Sequence, residues 1–199
     1  LGVLKANLAN NEPPLIVGGH VDHLGKEGGS SSLAREEEKG KIHFGADDNA
    51  SGVASTLEIA EWLVDQKRQG KLEIKRDILF AAWSGEELGL LGSAHYVDQL
   101  AAANHSNDLS SQSAAYLNMD MVGRYGDALI VNGVGSSSVW RREIERRNAP
   151  IGLRLALKED SYLPTDATSF FMKKVPILSV FTGSHGEYHS PRDTPDLLN

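Results

Sequence analysis

The 199 residues are 40% hydrophobic and 24% charged, with 20 glycines and 7 prolines, a balance that fits a packed globular enzyme and excludes a disordered or fibrous chain. Twenty basic against 27 acidic side chains give a formal charge of −7 with no Lys/Arg cluster interleaved with aromatics, which argues against nucleic acid as a partner. The longest apolar run, Ile78 to Trp83, falls far short of the ~20 residues of a membrane span, and the absence of cysteine leaves only nitrogen and oxygen ligands for any metal.

Short apolar runs alternate with helical patterns, as in an α/β layered fold. Leu15 to Gly18 reads as the first strand, and Gly25 to Gly40, rich in glycine, serine and charge, as a long solvated loop. Asn49 to Asp65 predicts a helix that buries Val53, Leu57, Ala60 and Val64, with Asp48 as its cap and the preceding Asp47 as a turn residue. Strand Asp77 to Trp83, helix Gly92 to Ala103, and strands Ala115 to Met119 and Ala128 to Val131 follow. Helices Val139 to Arg147 and Ala167 to Lys173 and a last strand, Pro176 to Phe181, complete the pattern, with Thr165 and Asp166 as start signals for the last helix. With no repeat and no break in composition, one domain over residues 1–199 is the expectation; the chain opens at Leu1 in mid-pattern, as a trimmed piece of something longer does.

Ligand-type residues fall just beyond the proposed strands, where open α/β sheets place their sites. LIVGG is followed by His20 and Asp22, DILFAAW by Glu86 and Glu87, AYLNM by Asp120, and PILSVFTG by a segment containing His189; GADDNASGVA adds Asp47 and Asp48. No Lys or Arg stands beside these acids in sequence, so a cation is expected among them.

GGHVDHLG, GADDNASGVA, SGEELGLLGS, LNMDMVGR and YHSPRDTPD resemble, in order, the metal-site motifs of the M28 family of aminopeptidases, and the resemblance runs from residue 18 to residue 196. It implies a three-layer α/β/α sandwich around a mixed, centrally parallel sheet. It makes His20 and Asp120 ligands of one zinc, Glu87 and His189 ligands of the other, and Asp48 the carboxylate bridging both. Manganese or cobalt would suit the same imidazole and carboxylate donors. Two Zn²⁺ against three ligating carboxylates reach neutrality with one bridging hydroxide, whose attack on the first peptide carbonyl is the implied chemistry. Glu86 is then the general base, and Tyr188 a hydrogen-bond donor to the tetrahedral oxyanion. Asp22, two residues beyond His20, would accept that ligand's other ring N–H if the strand continues.

The implied substrates are peptide or protein N-termini, and the implied address is extracytoplasmic. His23, His43, His95, His105 and His185 are expected to be structural or exposed, and Asp193 and Thr194 to orient rather than react. The rival readings are a single-zinc, glutaminyl-cyclase-like acyltransferase and a non-catalytic binding ectodomain; the full set of five ligand positions and Glu86 weighs against both.

Overall fold

The computed structural model describes residues 1–9, 11–26 and 28–199; Glu27, within the predicted loop, lies outside them. Among the described residues one sheet holds β1 (Gly2–Leu4), β2 (Leu15–His20), β3 (Ile78–Trp83), β4 (Ala115–Met119), β5 (Leu129–Asn132), β6 (Leu155–Leu157) and β7 (Ile177–Phe181). Their spatial order is β1-β3-β2-β4-β7-β5-β6. The central four, β3, β2, β4 and β7, are parallel; β1 joins β3 and β5 joins β7 antiparallel. The helices are α1 (Gly52–Arg68), α2 (Leu91–Ala103), α3 (Trp140–Asn148) and α4 (Ala167–Phe171).

Alternation along the strands builds two cores. Ile16 on β2 joins Trp83, Tyr116 and Ile177 against Val97 and Ala101 of α2 and Phe170 of α4. The next residue, Val17, joins Ile78 against Ile59 and Leu63 of α1 on the other side. A third cluster sets Trp140 and Ile144 of α3 against Leu178 and Leu117. Each fully buried side chain of isoleucine size contributes about 1.5–3 kcal/mol. The sandwich is therefore the one the resemblance implies: α1 and α3 on one face of the sheet, α2 and α4 on the other.

Tyr116 and Trp83 bring polar atoms into the first core and satisfy them there. The Trp83 indole N–H donates to the Tyr116 hydroxyl at 2.9 Å, which donates to Asn118 Oδ1 at 2.6 Å.

Helix α1 differs from the predicted stripe by one position. Its inner face is Gly52, Thr56, Ile59 and Leu63, and Leu57 is 60% exposed. Gly52 sets this register, because a Cβ there would stand 2.2 Å from the Met119 carbonyl oxygen, so only glycine lets the helix start rest on β4. Gly19 makes the same close approach from β2, at 2.4 Å. The predicted cap is also displaced: the Gly52 N–H donates to Asn49 Oδ1 at 3.1 Å, not to Asp48.

From β2 the chain passes through α1 to β3 on one side, then through α2 to β4 on the other. The crevice beyond the carboxyl ends of β2 and β4 is thus a topological switch point, where doubly wound sheets bind ligands.

Candidate metal centre

His20 is the last residue of β2, Asp120 follows β4, Glu86 and Glu87 lie in the turn after β3, and His189 lies in the segment after β7. Asp48 sits in an irregular turn, Ala46 to Ser51, ahead of α1, and its peptide bond to Asn49 is cis. Asn49 ties the turn to the end of β4 and, through its Nδ2 3.5 Å from the His20 carbonyl, to β2. Its Nδ2 donates to the Met119 carbonyl at 3.0 Å and its Oδ1 accepts from Met121 N–H at 3.2 Å.

The five residues expected to be ligands meet at one centre. Asp48 Oδ1 is 3.2 Å from His20 Nε2, and Asp48 Oδ2 is 3.2 Å from His189 Nε2. His20 Nε2 is 3.5 Å from Asp120 Oδ1, and His189 Nε2 is 3.2 Å from Glu87 Oε2. Donors held at about 2.0–2.1 Å around a tetrahedral ion stand about 3.3–3.4 Å apart, so these spacings fit two ion positions that share Asp48.

The histidine tautomers fit as well. His20 Nδ1 donates to the Asp22 carbonyl and His189 Nδ1 to the Ser31 carbonyl, each at 3.0 Å, which leaves both Nε2 atoms turned to the carboxylates. His189 takes a left-handed φ of 50°, and its carbonyl accepts from Leu33 N–H at 2.8 Å. The segment predicted to be a solvated loop therefore supports His189. Ser32 and His43, joined at 2.8 Å, pin it internally, and an ion pair of Glu38 with Arg192 fastens it to the His189 segment.

Electrostatics mark the centre as built for cations. Burial alone would lower the His20 pKa, but hydrogen bonds to Asp120 and Asp48 raise it to about 12. For His189 the same burial penalty is outweighed by Asp48 and Glu87, which raise it to about 10. Asp48 resists its own burial penalty and is pulled well below the usual carboxylate range by His189 and His20. Burial chiefly pushes Glu86 up to about 8, opposed by the charge of His20 and helped by Asp120, Asp166 and Glu87.

Asp22 acts differently from the expectation. The strand stops at His20, so the chain turns and the Asp22 backbone carbonyl, not its carboxylate, takes the His20 ring N–H; the carboxylate stands 3.9 Å away. Its Oδ1 and Oδ2 instead accept from the Glu86 and Glu87 N–H groups at 3.1 and 3.3 Å. Asp22→Ala should therefore loosen the turn that carries Glu86 and Glu87 and weaken metal retention by about ten- to a hundred-fold. Equilibrium dialysis against zinc checks this, and unchanged retention counts against the role.

Other residues were missed or underrated. His23, expected to be structural or exposed, reaches the centre with Nδ1 2.7 Å from Glu87 Oε1. The spacing HVDH, which brings two histidines to the end of one strand, was the available signal. Asp193, fully buried, accepts the Asp47 and Asp48 N–H groups at 2.9 and 3.1 Å and pairs with Arg124, the orienting part foreseen for it. Asp47, also buried, accepts Gly123 N–H at 2.7 Å and faces His185 at 3.3 Å. Asp166 lies buried, and among the described residues neither carboxylate oxygen has a partner in good hydrogen-bond geometry; burial chiefly raises its pKa to about 6, with the nearby Ser93 hydroxyl opposing the rise.

A cavity of about 360 Å³ opens on this centre. His20, Asp48, Glu86, Asp120, Tyr188 and His189 line its polar side, and Met121, Leu163, Pro164 and Phe181 its apolar side. The Tyr188 ring stacks on His189 with centroids 3.7 Å apart.

The family model for peptidase family M28 matches residues 3–199. An aminopeptidase of Pseudomonas aeruginosa is 34% identical over 152 residues, which cover 71% of this chain and 26% of that protein. A zinc aminopeptidase from Bacillus subtilis superposes with a TM-score of 0.73 at 25% identity, over 100% of this chain and 44% of that one. A Bacteroides thetaiotaomicron glutaminyl cyclase, at 14% identity and a TM-score of 0.69, covers 99% of this chain and 70% of that one, and shares the fold alone. The chain spans 26–30% of the length of the curated relatives with which it aligns over most of its length. Since the family model covers nearly every residue from Val3 onward, the chain belongs to peptidase family M28.

Proposed function

We propose that residues 1–199 form a single catalytic domain of a two-zinc aminopeptidase, which removes the first residue from peptide or protein N-termini. The observation that carries this reading is the placement of Asp48, with one carboxylate oxygen on His20 and the other on His189. His20, Asp48 and Asp120 would hold one ion, and Asp48, Glu87 and His189 the other; each set of three leaves a position open for water. Zinc bound there would polarise the scissile carbonyl and lower the pKa of a shared water.

The protein's own groups do the rest. Glu86, on the cavity wall next to the Glu87 ligand, accepts the proton of the attacking water and returns it to the departing amine. Its burial, which favours the neutral acid, makes it a ready proton carrier, while added cations favour the carboxylate that must act first. Tyr188 keeps its hydroxyl proton, because burial and then the surrounding carboxylates push its pKa above the usual phenol value, and it is thereby available to donate to the developing oxyanion. Met121, Leu163 and Phe181 offer an apolar wall to the first side chain. An extracytoplasmic address goes with this reading by resemblance, and no helix among the described residues is long and apolar enough to cross a membrane.

Metal analysis paired with a panel of aminoacyl-nitroanilides, with and without chelator, tests the proposal. Two zinc ions per chain and chelator-sensitive release support it. One ion with cyclisation of N-terminal glutamine favours the acyltransferase, and no metal at all favours a binding ectodomain. Loading has a proton signature too. At pH 7 the metal-free His20 and His189 both carry a proton, their pKa values being raised above 7, and each must shed it to bind metal. Zinc added in weak buffer should therefore release at least about two protons per chain, and apparent affinity should rise with pH through the neutral range. An indicator dye reads this; loading without acidification counts against these histidines as ligands.

A further inference from the structure

The two oxygens of Glu87 have different neighbours. Oε2 lies 3.2 Å from His189 Nε2, a spacing two ligands of one ion adopt. Oε1 lies 2.7 Å from His23 Nδ1, a charge-assisted hydrogen-bond length that is too short for two atoms bound to one ion at tetrahedral spacing. The His23 ring is fixed in place. It meets the His189 ring edge-on with centroids 5.8 Å apart, and Gly45, at φ 63°, passes so close that a Cβ there would stand 2.5 Å from His23 Cγ. The side chain is 9% exposed.

We infer that His23 is a positioning residue of the metal centre: its Nδ1–H occupies Glu87 Oε1 and restricts that carboxylate to binding an ion through Oε2 alone. The inference rests on the two-metal reading above. A ligating glutamate with both oxygens free can chelate through both, which raises the coordination number and fills the position that water needs. His23 withholds the second oxygen from the ion.

The test compares wild type, His23→Ala and His23→Gln, each stripped of metal and titrated with Co²⁺, whose visible absorption weakens as coordination number rises. Wild type should take two ions per chain. In His23→Ala one of the two should bind about ten- to a hundred-fold more weakly, with a loss of absorption intensity. His23→Gln, which retains an N–H donor, should restore both affinity and spectrum. An alanine variant that matches wild type in both readouts overturns the inference, as does a glutamine variant that fails as alanine does. If His23→Ala does not fold, His23→Leu replaces it in the comparison. Wild type that fails to take two ions sinks the two-metal reading itself, whereas two ions in wild type with no change in the variants sinks only the role of His23.

Discussion

Glu86→Gln should leave a folded, metal-loaded protein that has lost nearly all hydrolysis. Glutamine has the same shape, and the backbone of the turn is held from outside the substituted group, by the Asp22 carboxylate on the Glu86 and Glu87 N–H groups. The ligand at Glu87 therefore stays where it is, and only the proton acceptor is removed. A positioned general base contributes about 10²–10⁴-fold, so kcat should fall by that factor with zinc content unchanged. Turnover that survives in a fully loaded Glu86→Gln protein would assign the proton to another group.

Asp48→Ala should empty both ion positions, whereas Glu87→Ala should empty only one. Asp48 is the carboxylate that faces both histidines, at 3.2 Å on each side, while Glu87 faces His189 and His23. Losing an indirect partner of a ligand costs about ten- to a hundred-fold in affinity, and losing a shared ligand should cost more than that at each position. Parallel zinc titrations of the two variants separate the cases. If one ion remains at wild-type affinity in Asp48→Ala, the carboxylate is not shared.

Much of this centre was legible in the chain because four of the five residues expected to be ligands, His20, Glu87, Asp120 and His189, come after apolar runs. Strands β2, β3, β4 and β7 are predominantly apolar runs with little polar alternation, as suits strands covered on both faces, and each was placed within two residues of its ends. The three-residue strands Gly2–Leu4 and Leu155–Leu157 were missed, since so short a run carries no period. The register of α1 was missed by one position for a different reason: periodicity counts apolar side chains, and this helix is aligned by a residue with none, Gly52. The roles of Asp22 and His23 depended on where the chain turns after His20, a matter of one peptide plane that spacing does not encode. Likewise, nothing in GGSSS says that the Ser31 carbonyl will meet a ring 158 residues away.

The glycine contacts with Met119 seat one half of the cage against the sheet, while the other half lies on turns. His20 and Asp120 extend from neighbouring strands, Asp48 is fastened to them through Asn49, and the clearance at Gly19 and Gly52 leaves no slack for that unit to shift. Glu87 and His189 ride on turns held by side chains and loop carbonyls. On the two-metal reading proposed above, the first half would discriminate among cations by a fixed size and angle and the second would adapt to the ion that arrives, so the two positions would prefer different elements.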